Sequence, residues 1–170
     1  MSPRFGSRQR GAIGLMAAGT LALALVFTLL AVDSGRLYLE KRRLQSIADT
    51  SALEAAGLGG QCGSNTTANA YATQNAARNG FVVGNGRTLA VTCGTLATNA
   101  ANTRVFTADA TKSDAIRVVA SHTVVTSIAN GLWNLFSGAP ITPQINLSAT
   151  AVAATPPPVA QLSIRSSLAS

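Results

Sequence analysis

Residues 11–57 divide into an uncharged apolar run and an amphipathic run whose apolar residues recur at helical spacing. Residues 11–32 contain no charged side chain. As a helix they would extend for about 33 Å, against a hydrocarbon core of about 30 Å. The run is longer than the apolar core of a cleavable signal sequence, and no small-x-small cleavage site closes it. We therefore predict a transmembrane helix over residues 11–32, preceded by a basic leader at residues 1–10.

Residues 33–57 continue the helical pattern beyond the predicted span. They contain no proline, and their apolar residues recur at helical spacing. The residues on this apolar stripe are Leu37, Leu44, Ile47, Ala48, Ala52 and Ala55. The pattern predicts one continuous helix that stops at Gly57 to Gly60, where glycine favours a left-handed cap. A helix broken at Asp33 to Gly35 is the alternative.

Shorter elements follow, and they predict an α+β head over residues 58–155. The alanine-rich stretch 65–79 predicts a helix that ends at Gly80, and the stretch 127–136 predicts another short helix. Four segments have strand character: Thr88–Cys93, Thr103–Ala108, Ala115–Val125 and Ile145–Ala153. We expect the third strand to be central in an antiparallel sheet, because both of its faces are apolar. Three prolines then begin a Pro-rich linker and tail at residues 156–170.

The net charge of +7 on 170 residues does not indicate nucleic-acid binding. Bases beyond residue 57 are dispersed, and aromatic residues are too few for a stacking platform.

Charge does not fix the membrane orientation either. Arg4, Arg8 and Arg10 precede the span, but Lys41 to Arg43 follow it within the distance that the positive-inside rule counts.

The two cysteines, Cys62 and Cys93, both follow the predicted span. Neither belongs to a metal-binding pattern, and a pair suits an oxidising compartment such as a bacterial periplasm. A bridge between them would close a loop whose entropy is worth about 3.7 kcal/mol. This favours a disulfide, a periplasmic head and a cytoplasmic leader. Two buried free thiols are the alternative.

The chain has few side chains that could catalyse a reaction or bind a metal. It has one histidine, His122, and the acids beyond residue 57 are Asp109 and Asp114. No phosphate loop, nucleotide fingerprint or metal-ligand spacing occurs. We expect no catalysis, no cofactor and no metal, and we expect His122 to be a satisfied or solvent-facing side chain. A hydrolase that depends on His122 is the weaker alternative.

Charge is concentrated just beyond the predicted span, where residues 33–57 hold eight of the nineteen charged side chains. We therefore predict an interaction surface on this part of the helix. Its residues are Asp33, Arg36, Leu37, Glu40, Arg43 and Leu44. The alternative is that the apolar stripe packs on the protein's own sheet while the charges are only solvated.

Residues 31–56, AVDSGRLYLEKRRLQSIADTSALEAA, resemble the amino-terminal signature of the TadG/TadE-like proteins of Tad (Flp) pilus assembly. A weaker similarity continues at Ala76–Phe81, Ala115–Thr126 and Leu147–Ala153. The resemblance implies a membrane-anchored accessory protein with a pilin-like head and no catalysis. It also implies a single pass through the bacterial inner membrane.

The implied partners are the lipid bilayer, other pilus-assembly proteins and a second copy associating through the N-terminal helix. One departure from pilin-type members concerns processing. Those members are cut after a glycine that is followed five residues later by glutamate. Here Met16 and Gly19 stand at that distance from Gly11 and Gly14. The alternative function is a membrane-tethered periplasmic ligand-binding or sensory domain.

Overall fold

A computed structural model describes residues 10–63, 66–125 and 144–155. Its elements, in chain order, are α1 (Arg10–Gly57), α2 (Thr67–Arg78), β1 (Arg87–Thr98), β2 (Arg104–Ala108), β3 (Ala115–Val125) and β4 (Gln144–Ala154). The predicted α+β fold, with a long N-terminal helix and a small antiparallel sheet, is confirmed. The described residues do not include positions 1–9 of the predicted leader (1–10), the helix predicted at 127–136 or the tail from residue 156.

The chain forms two compact units. One unit contains α1 as far as Leu44, with the end of β3 from His122 and the start of β4 to Leu147. The other contains the rest of α1, together with α2, β1, β2 and the remaining parts of β3 and β4.

α1 is continuous through Asp33 to Gly35, so the prediction of one unbroken helix is confirmed. Its 48 residues extend for about 72 Å. Residues 12–28 are all exposed, although most of them are apolar. Thr20 and Thr28 are satisfied inside this run, because their hydroxyls donate to the carbonyls of Ala17 and Ala24 at 3.0 and 2.8 Å. Within the described part of the chain, α1 is the one helix long and apolar enough to cross a membrane.

Both helices end in the same glycine-dependent motif. At the end of α1, Gly59 has a φ of +66°, and the Gly60 N–H donates to the Ala55 carbonyl at 2.8 Å. At the end of α2, Gly80 has a φ of +74°, and the Phe81 N–H donates to the Ala76 carbonyl at 2.8 Å. These bonds satisfy carbonyls that a helix end leaves unpaired, and a left-handed residue makes them possible. The glycines therefore stop the helices where the sequence predicted.

The connection between α1 and α2 packs closely on the first turn of α2. A Cβ at Gly60 would lie 2.7 Å from the Cα of Ala68, so only glycine fits there. The predicted small face of α2 is buried: Ala68, Ala72 and Ala76. This small-residue face therefore belongs to the core.

A polar cluster also links α1 to α2. The buried Ser51 hydroxyl donates to the Asn75 side-chain oxygen at 3.4 Å. The Glu54 carboxylate accepts hydrogen bonds from the Asn75 amide and the Arg78 guanidinium. The Asn75 bond is the largest cause of a lowered Glu54 pKa, and the hydrogen bond and charge of Arg78 add to it while partial burial opposes it. The cluster therefore favours the ionised form of Glu54.

The four strands form one sheet in the order β2-β1-β3-β4. The expectation that β3 is central and lies beside the last strand is confirmed, and the bounds of β3 are those predicted. Ile116, Val118 and Ala120 on one face of β3 are buried, whereas Arg117, Val119 and Ser121 on the other face are half-buried. β3 therefore supplies the centre of the sheet and much of its core face.

β1 is longer than predicted, because it continues past Cys93 to Thr98. Its second half pairs antiparallel with β2, from Gly94 opposite Ala108 to Thr98 opposite Arg104. Gly94 marked a turn in the sequence, but a Cβ at this position would lie 2.0 Å from the Thr107 carbonyl oxygen. The glycine is needed for the close approach of β2 and does not end the strand.

A disulfide joins Cys62 to Cys93, as predicted, with the two Cα atoms 5.8 Å apart. It connects the segment after α1 to the middle of β1, and Cys93 is buried. The closed loop spans a sequence separation of 31 residues. The bridge therefore fixes the α1–α2 connection against the sheet.

Replacing both cysteines, as Cys62→Ala with Cys93→Ala, is expected to lower the free energy of unfolding by about 2–5 kcal/mol, because the unfolded chain regains the entropy of the open loop. Denaturant unfolding of the detergent-solubilised protein measures the change. A reducing agent should shift the wild-type midpoint and leave the variant unchanged. Two alkylatable thiols in the native protein would contradict the bridge.

The Glu54 cluster predicts an acid-sensitive contribution to stability. Because the pKa of Glu54 is lower in the folded chain, its carboxylate stabilises the fold above the ordinary glutamate pKa, and this stabilisation is lost as the pH falls through the folded value. Unfolding free energy measured against pH should fall less steeply on the acid side for Glu54→Gln than for wild type. Asp114→Asn, which removes an exposed carboxylate outside the cluster, is the matched control. Identical acid slopes for Glu54→Gln and wild type would contradict this role.

Candidate functional site

The six residues of the predicted interaction surface lie in one unit but differ in exposure. Arg36 and Arg43 are exposed, whereas Asp33, Leu37 and Glu40 are half-buried. Leu44 is fully buried. The protein's own packing therefore already uses Leu44, and a partner could reach mainly the charged residues.

Glu40 is paired with the one histidine of the chain. The Nδ1 atom of His122 lies 2.6 Å from the Glu40 Oε1 atom, and the two side chains are only 18% and 22% exposed. The contact joins α1 to the end of β3 across 82 residues of sequence. His122 is therefore satisfied by a carboxylate, which is one of the two outcomes, satisfied or solvent-facing, that the sequence analysis expected.

The predicted surface also borders a very small cavity beside β3. Asp33, Arg36 and Leu37 line it together with Val124 and Val125. Its volume of about 10 Å³ is close to the minimum that one water molecule requires. This space is a packing contact between α1 and the end of β3, and it is too small for a ligand.

A larger concavity lies near the disulfide. It has a volume of about 340 Å³ and is lined by Gln61, Cys62, Thr66, Asn69, Leu89, Ala90 and Val91. The volume falls in the range of small-ligand sites, about 300–1,000 Å³. None of these lining side chains carries a charge, and Cys62 is held in the disulfide. The concavity has room for a small uncharged group, but its lining residues supply no acid, base or nucleophile.

The described residues contain no group of three or more His, Cys, Asp or Glu side chains that could hold a metal ion. Two of these side chains are hydrogen-bonded within the protein: Glu40 to His122, and Asp109 to Thr111. Asp109 accepts from the Thr111 hydroxyl at 2.6 Å and the Thr111 N–H at 2.9 Å, and both bonds lower the pKa of Asp109. These hydrogen bonds stay within the loop that connects β2 to β3.

A second face of α1 was missed by the sequence reasoning. Large apolar side chains at Tyr38, Leu39 and Leu53 are 63%, 67% and 65% exposed. Their neighbours on the same side of the helix, Arg42 and Asp49, are also exposed. The signal was available, because Leu39 and Leu53 are 14 residues apart, which is four helical turns. In the sequence Leu39 and Leu53 are isolated leucines among polar residues, and only the structure shows that both are exposed.

Two family models match this architecture, one for each part of the chain. A model described as Flp pilus-assembly TadE/G-like matches residues 11–58, which cover α1 and its cap. A second, described as Tad-like Flp pilus-assembly, matches residues 55–153, which cover the head. No curated protein and no solved structure matches the chain. Since the two matches together extend from residue 11 to residue 153, the chain belongs to the Tad-like family of Flp pilus-assembly proteins.

Proposed function

We propose that this protein is a non-catalytic, minor-pilin-like accessory component of a Tad (Flp) pilus or adhesion machine. The observation that carries the proposal is the family match over residues 11–153, which assigns the chain a role in pilus assembly. In this role it interacts with other components of the pilus-assembly machinery. The exposed apolar half of α1 fits a single-pass anchor.

The head is proposed to lie in the periplasm, with the N-terminus in the cytoplasm and the anchor in the bacterial inner membrane. The Cys62–Cys93 bridge supports this orientation, because such bridges persist in oxidising compartments. Residues 33–57 would then be the first part of the protein beyond the lipid. The proposed partners are the bilayer itself, other pilus-assembly proteins and a second copy of this chain that associates through α1.

A non-catalytic role fits the groups that the described residues bring together. His122 is hydrogen-bonded to Glu40. The lining of the larger concavity contains no titratable side chain, since Cys62 is held in the disulfide. General acid–base chemistry requires a titratable group that can reach a substrate. The concavity is the one observation on the described residues that favours the second candidate function, a tethered ligand-binding or sensory domain, since its volume suits a small uncharged ligand.

We further propose that the exposed charges of residues 33–57, Arg36 and Arg43 among them, contact a partner during assembly. Like charges that face each other across an interface cost several kcal/mol, whereas reversal of solvated charges changes stability by less than about 1 kcal/mol. Charge reversal therefore separates a contact surface from a merely solvated one.

The experiment is surface piliation in a deletion strain of the host. The deletion is expected to abolish pili, and the wild-type gene to restore them. Arg36→Glu with Arg43→Glu, at wild-type abundance, should fail to restore them. The matched control is Arg104→Glu with Lys112→Glu, which makes the same charge change at exposed positions of the head and should restore piliation.

The outcomes separate two claims. Normal piliation of the deletion strain would contradict the proposed function itself. Full restoration by the Arg36 and Arg43 reversal would leave the pilus role intact and remove these two charges from the mechanism.

A further inference from the structure

The two cysteines of the bridge differ in how solvent reaches them. Cys93 lies in the middle of β1 and is only 1% exposed. Cys62 is half-buried and belongs to the lining of the larger concavity, whereas Cys93 does not. Both cysteines and every lining residue belong to the same compact unit. One end of the bridge is therefore approached from solvent through the concavity, and the other end is enclosed by the core.

The concavity has an exposed rim and a half-buried floor. The lining residues on the rim are exposed: Gln61, Thr66, Asn69 and Ala90. Those on the floor are half-buried: Cys62, Leu89 and Val91. The volume of about 340 Å³ is enough for a small molecule to reach the floor. No lining residue is charged, so the cost of desolvation favours an uncharged molecule over an ion.

Backbone hydrogen bonds hold the residue before Cys62 against the start of α2. The Gln61 N–H donates to the Thr67 hydroxyl at 3.0 Å, and the Gln61 carbonyl accepts from the Ala68 N–H at 3.1 Å. Neither bond involves a cysteine. We therefore expect Cys62 to stay beside the concavity when the bridge is open.

We propose that Cys62 is a modification site at which a small uncharged thiol forms a mixed disulfide. The incoming thiol loses its proton and attacks as a thiolate, which is the nucleophile in this exchange. A bond forms between the incoming sulfur and the Cys62 sulfur, and the Cys62–Cys93 bond breaks. Its electron pair passes to the Cys93 sulfur, which takes a proton. The incoming thiol is oxidised and Cys93 is reduced, so the step needs no further reactant.

Burial of Cys93 affects both the rate and the position of this exchange. Burial disfavours a thiolate, so Cys93 is a poor leaving group and the attack on Cys62 is slow. Attack on Cys93 would first require the core around β1 to open, which is rare in a folded domain. Access to the two sulfurs therefore decides the position of attack. The mixed disulfide forms on Cys62 and leaves a buried thiol at Cys93.

The test uses the full-length chain in detergent, with 2-mercaptoethanol and its disulfide as the probe. Cys93→Ala keeps only Cys62, and Cys62→Ala keeps only Cys93. Mass spectrometry follows the mercaptoethanol adduct on each variant with time. Cys62 is expected to acquire the adduct about a hundredfold faster, because Cys93 reacts only when the core opens. In denaturant both cysteines should react at the same rate. Equal rates in the native proteins would overturn the proposal.

A second pair of variants, made in the Cys93→Ala background, tests whether the concavity provides the access. Asn69→Trp places a large side chain on the rim and is expected to slow the reaction of Cys62 about tenfold. Gln74→Trp is the matched control, since Gln74 is also exposed on α2 but does not line the concavity. It should leave the rate unchanged. Equal rates for the two tryptophan variants would contradict the proposed route.

The wild-type protein supplies a measurement that needs no substitution. Its bridge is exposed to the same reagents under native conditions, and the product is quenched in acid, unfolded and mapped by mass spectrometry. The adduct is expected on Cys62 and the free thiol on Cys93. The reverse arrangement, equal labelling of the two cysteines or a native bridge that acquires no adduct would each refute the proposal. The assay needs no pili, so its failure is distinguishable from failure of the proposed pilus role.

Discussion

A helix whose first half is apolar and exposed must keep every backbone group hydrogen-bonded inside itself, because a bilayer offers no water to replace a lost bond. α1 meets this constraint from Arg10 to Gly57 without a break. The hydroxyls of Thr20 and Thr28 are also satisfied within the helix. The same uninterrupted backbone continues past Asp33, where the side chains become charged, and reaches the residues that the head buries. Membrane anchor and head core are thus consecutive parts of one hydrogen-bonded element.

The head depends on close backbone approach more than on large side chains. Among the described residues, twelve of the nineteen buried hydrophobic side chains are alanines, and each buries little apolar area. Gly60 and Gly94 stand where any Cβ would collide with a neighbouring element. Small side chains permit this tight packing, but they limit the hydrophobic stabilisation of a small domain. The Cys62–Cys93 bridge offsets this limit, because it lowers the conformational entropy of the unfolded chain.

Local patterns were sufficient to predict α1, α2 and β3, because each has a strong periodicity and clear end signals. Gly59 and Gly80 end their helices in the predicted way. The length of β1 was underestimated, since the role of Gly94 follows from the position of Thr107 in another strand. The Glu40–His122 pair has no local signal either, because 82 residues separate its members. The buried side of α1 carries the predicted apolar residues Leu44, Ile47, Ala48 and Ala52, whereas the exposure of Leu39 and Leu53 could be established only from the structure.

The claim that α1 anchors the chain with its head outside the cytoplasm is tested most directly by matched fusions after Thr155. Alkaline phosphatase folds actively only in the periplasm, and a green fluorescent protein exported in unfolded form stays dark there. The account predicts an active phosphatase fusion, a dark fluorescent fusion, and a membrane-bound chain that retains residues 11–32. An inactive phosphatase with a bright fluorescent fusion, or a mature protein that begins near Asp33, would contradict it.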